Sequence, residues 1–76
     1  MADFDSVMKM RFQIRAIDKK GGLDKVNKEV QSVEVGFHVN CLLGGMDDAV
    51  KILEAKPELF KKLKLVLNKE AFDIIF

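Results

Sequence analysis

The sequence holds one histidine and one cysteine, His38 and Cys41, three residues apart. On one face of a helix that spacing would let an imidazole base activate a thiolate nucleophile. On a strand the two side chains point to opposite faces, and the alternation around them favours a strand. The pair is therefore read as a surface imidazole and a small buried thiol. As metal ligands they fall short in number, since a structural zinc site takes four and a catalytic one usually three. Asp47 and Asp48 are the nearest further donors, but acidic residues opening a helix need no metal to explain them. No cofactor and no metal are expected.

Lys19-Lys20-Gly21-Gly22 has the parts of a nest that could greet an anion. It lacks the spacing of a P-loop or a dinucleotide fingerprint, and the plainer reading is a surface turn. The twelve Asp and Glu residues are scattered along the chain. None sits in an apolar setting that would raise its pKa. Nucleophile, base and orienting group do not converge, so catalytic residues are not assigned and an enzyme is the least favoured reading.

The strongest patterned chemistry is basic. Met8, Met10, Phe12, Ile14 and Ala16 alternate with Lys9, Arg11, Gln13 and Arg15, as in a half-buried strand. On a helix, Arg11 and Arg15 would fall inside the arc that holds Phe4, Val7, Met8, Phe12 and Ile14, which favours the strand. The strand places Lys9, Arg11 and Arg15 on one face, and Lys19 and Lys20 extend the positive patch into the turn. Such a face could track a phosphate backbone or meet an acidic protein surface. Phe12 would point away from it, leaving no aromatic for stacking on bases. The competing reading is the solvated face of an edge strand, where cations discourage aggregation.

The elements that must position these residues follow from turn signals and periodicity. Two glycine pairs, Gly21-Gly22 and Gly44-Gly45, divide the chain and mark turns or helix ends. Leu23, Val26 and Val30 recur at helical spacing, predicting a short helix over 23–31, with a hairpin arm as the alternative. Val33, Val35, Phe37, Val39 and Cys41 alternate with more polar residues, predicting a strand over 33–42 whose inward set includes Cys41. Asp47 is available to cap a helix over 47–56. Pro57 stops it and suits the first position of another helix over 57–70. Residues 71–76 are apolar apart from Asp73 and read as a last helical turn or a third strand over 72–76. The fold class expected is α+β: one small domain spanning 1–76, with two or three strands packed against the C-terminal helices.

Composition bounds the rest. The chain has 76 residues, 49% of them hydrophobic, and a formal net charge of +1. That composition excludes the disordered class, which combines low hydrophobicity with high net charge. A single cysteine excludes a disulfide-stapled scaffold. No run approaches the roughly 18 apolar residues of a membrane helix, and Asp3 and Asp5 stand where a signal peptide carries positive charge. A soluble, cytoplasmic protein is expected. So small a domain buries only about 60% of its unfolded surface, which makes the apolar content hard to hide in one copy. Met46, Leu65 (on the polar side of its helix), Ile74, Ile75 and Phe76 are the residues that would meet another copy or a partner. The sequence thus reads as a non-enzymatic interaction protein, a regulator or inhibitor that binds another macromolecule, as a homodimer or larger assembly. The alternative is an RNA- or DNA-binding module using the basic face of the first strand.

Overall fold

Val7, Met10, Ile14 and Ile17 are all buried, and their 3-4-3 spacing has the period of a helix rather than a strand. They line the inner face of α1, Phe4–Lys19. The structure, a computed structural model, describes the backbone of residues 2–75 and the side chains of residues 2–70. Among the described residues it is all helical and contains no strand, so the expected α+β class is corrected, with the strands expected over 7–17 and 33–42. Met10 and Ile14 satisfy both periods because they are four apart. Val7 and Ile17, odd-numbered and buried, decide for the helix, as do Phe12 and Ala16, even-numbered and exposed.

The ends of α1 are built locally. Asp3 is its N-cap, and its carboxylate accepts a 2.7 Å hydrogen bond from the Ser6 amide, satisfying one of the free first-turn donors. That bond from the Ser6 backbone holds the Asp3 carboxyl below the ordinary carboxylate range. At the other end Gly22 N–H donates to Ile17 O and Gly21 N–H to Asp18 O, at 3.1 and 3.0 Å. This Schellman pattern needs a left-handed residue, supplied by Gly21 at φ 77°.

Helix α2, Leu23–Gln31, occupies the residues expected of it and buries Val26 and Val30. The strand expected over 33–42 is instead a loop followed by a 3₁₀ turn, Val39–Leu43. Its β-branched residues suit a strand only where another strand can pair with them, and α1 offers none. Val35 is 95% exposed and only Phe37, Val39 and Leu42 enter the core. The backbone finds other partners: Val39 N–H donates to Asn27 Oδ1 at 2.7 Å, and Cys41 N–H to His38 O at 3.1 Å. Gly36, at φ 83°, makes the reversal inside this loop.

Helix α3, Met46–Ala55, has Gly45 as its N-cap, so Asp47 lies in the first turn and does not cap it. Helix α4 begins at Pro57, as expected, and runs to Ile75, so up to that residue the tail takes the helical one of its two expected readings. Phe76 lies outside the described residues. Leu53, Leu59, Leu63 and Leu67 are fully buried with Ile14, Ile17 and Val30, so α4 forms the floor on which α1, α2 and α3 pack. Polar ties join the elements at the edges of this core. The Lys25 ammonium on α2 meets the largely buried Glu70 carboxylate on α4 at 3.2 Å. Lys56 meets Glu34 at 3.0 Å, fastening the 32–38 loop to the joint between α3 and α4.

Two outcomes test this frame. Replacing buried Ile14 by Ala should cost about 2–5 kcal/mol in urea denaturation, whereas Phe12→Ala should stay within about 0.5 kcal/mol. Similar costs would restore the strand register, in which both residues face inward. The Asp3 cap predicts an acid limb. Because its carboxyl is lowered in the folded state, its stabilisation is present above the ordinary carboxylate value and lost as pH falls through the lowered one. Asp3→Asn keeps an acceptor without the charge, so thermal unfolding scanned from neutral to acid pH should show a shallower decline than wild type.

Candidate interaction surface

The helix redistributes the cations that a strand would have gathered. At about 100° per residue, Lys9 and Arg11 stand roughly 200° apart around α1. Lys9 faces α4, in a cleft of about 260 Å³ that it shares with Gln13, Lys64 and Asn68. Gln13 and Asn68 are hydrogen-bonded across it at 3.0 Å. Arg11 turns the other way and is half-buried. Its guanidinium donates to the Leu43 carbonyl at 3.1 Å and to the Met46 Sδ at 3.0 Å. Arg11 therefore clamps α1 to the end of the 3₁₀ turn and the start of α3, and its charge is spent inside the fold. Arg15, Lys19 and Lys20 are exposed. Lys9 therefore does not share a face with Arg11 and Arg15, which corrects the single strand face expected of the three.

The candidate partner-facing residues divide too. Met46 is half-buried and packs on the core as the acceptor for Arg11. Leu65 is 70% exposed on α4. Ile74 and Ile75 belong to the α4 backbone, but their side chains, like the whole of Phe76, lie outside the described residues. Cys41 is exposed, which corrects the buried thiol of the strand reading. His38 is exposed as expected, and its ring nitrogen lies 3.4 Å from Gln31 Nε2. Both border an open apolar groove of about 440 Å³ between the loop and α3. No group of three or more His, Cys, Asp or Glu among the described residues could hold a metal ion. No helix among them is long and apolar enough to cross a membrane.

A surface that the strand reading missed runs along the outside of α1. Phe4 and Phe12 are 51% and 61% exposed, and half-buried Met8 lies between them. Their i, i+4, i+8 spacing makes one ridge on a helix. Arg11, Arg15 and Lys19 form the next ridge, three residues on from Met8, Phe12 and Ala16. Neither Arg15 nor Lys19 takes part in an ion pair among the described residues. The signal for this surface was the helical arc in which Phe4, Met8 and Phe12 lie beside Arg11 and Arg15. That mixture counts against a helix only if the whole arc must be buried. The chain matches no protein-family model, and no curated protein or solved structure shows significant similarity to it.

The unequal fates of the arginines are measurable. Arg11→Glu removes two hydrogen bonds and should cost about 1–3 kcal/mol, whereas Lys9→Glu and Arg15→Glu should each stay within about 0.5 kcal/mol. Denaturant titrations of the three single variants compare them directly. Equal and negligible costs would show that Arg11 holds nothing together.

Proposed function

We propose that this protein is a non-enzymatic interaction domain that acts by binding another protein through the outer face of α1. The observation that supports this reading is the Phe4–Met8–Phe12 ridge. A single exposed apolar side chain is ordinary on any surface, but a contiguous row with two aromatics is not. Large aromatic side chains dominate binding energies where they are desolvated by a partner. The ridge also lies outside the core, to which another face of α1 contributes Val7, Met10, Ile14 and Ile17.

The alternative of nucleic-acid binding through a basic strand face loses its basis, since that strand is a helix and Arg11 is engaged internally. Self-association stays in the reading only for other faces, such as that of Leu65. Affinity capture tests the main claim. Wild type and the double variant Phe4→Ser/Phe12→Ser would be compared in nuclease-treated extract of the source cells, after circular dichroism confirms equal helicity and similar Tm. The double variant should retain captured protein about tenfold less well. An unchanged captured set would refute the role of this face.

A further inference from the structure

We infer that the partner seated on α1 is an acidic amphipathic helix. This rests on the reading that the outer face of α1 binds protein, and it adds the chemistry of what is bound. Two parallel ridges define the seat: Phe4, Met8 and Phe12 on one, Arg11, Arg15 and Lys19 on the next, with Lys20 exposed just past the helix end. Adjacent ridges of i, i+4 residues enclose a groove of the kind into which a second helix packs its own ridge. From Phe4 to Phe12 the row spans about 12 Å along the axis, roughly two turns of a facing helix. Apolar residues of that helix would cover the two phenyl rings. Carboxylates on its flank would meet Arg15, Lys19 and Lys20, whose charges have no partner in an ion pair among the described residues.

Charge argues against the other occupants. A second copy docked by a two-fold axis, with the α1 helices antiparallel, would set each basic ridge against itself. A membrane surface calls for a broad apolar face, whereas here one ridge is free, with Asp5 exposed on its other flank. Nucleic acid would gain two rings for stacking, but it meets a chain whose net charge is only +1. An acidic helix satisfies the phenyl rings and the cations together.

The test is a titration of the isotope-labelled full chain, followed by amide NMR shifts. The probes are a synthetic helical peptide with an apolar stripe flanked by Glu, the same peptide with Lys for Glu, a single-stranded oligonucleotide and anionic phospholipid vesicles. The Glu peptide should shift the amides of α1, bind about tenfold more weakly to Phe12→Ser, and weaken as salt rises. Arg15→Glu/Lys19→Glu should lose the Glu peptide and gain the Lys peptide, a swap that mere misfolding cannot produce. Equal binding of both peptides to wild type would overturn the inference, as would shifts confined to the groove beside Cys41. Tighter binding of the oligonucleotide or the vesicles through Phe12 and Arg15 would also overturn it. If captured protein depends on Phe4 and Phe12 but ignores Arg15→Glu/Lys19→Glu, the acidic helix is wrong while the binding face stands. If capture ignores Phe4 and Phe12, the face itself is wrong.

Discussion

Burial of Val7, Met10, Ile14 and Ile17 in a core that α1 shares chiefly with α4 is the constraint on which the other elements depend. Those four residues cannot reach one surface from a strand, because 7 and 17 fall on one side and 10 and 14 on the other. Once α1 is a helix, the β-branched segment that follows α2 has no strand to pair with and folds as a loop and a 3₁₀ turn. Asn27 and the local carbonyls then take up backbone groups that a sheet would have satisfied.

The same choice decides what the arginines do. With α1 helical, Arg11 lies over the start of α3 and donates to Leu43 and Met46, while Arg15, one turn on, is exposed. Two residues of one type and one apparent face thus take different places, one holding the fold together and one left on the surface. The apolar content follows a similar division. Most of it enters a core to which all four helices and the 3₁₀ turn contribute, and the remainder is concentrated at a few sites, chiefly Phe4, Phe12, Val35 and Leu65. A surplus gathered in a row can recognise a partner, whereas the same residues scattered would carry no such meaning.

Much of the helical part was legible from local chemistry alone. The spacing of Leu23, Val26 and Val30 marks α2, and Pro57 separates α3 from α4 because its ring suits a first helical position and ends what precedes it. The site was less legible. Strict alternation puts every cation on one face, which groups Lys9 with residues on the far side of α1 and places exposed Phe12 in the core. Cys41 went inward by the same alternation and is exposed.

What the sequence by itself determined is therefore the local vocabulary: where helices start and stop, which residues are apolar, and that the chain is compact rather than disordered. What only the tertiary structure decided is which of two overlapping periods in α1 is used, and hence which apolar residues are left outside. Periodicity is a property of neighbours in the chain, and Met10 and Ile14 fit a period of two as well as one of 3.6. The choice between them depends on whether the facing surface is a strand edge or the leucine stripe of α4, some fifty residues away in the chain. Hydrogen-bond satisfaction and apolar burial are settled there, between segments, and no window along the sequence contains both partners.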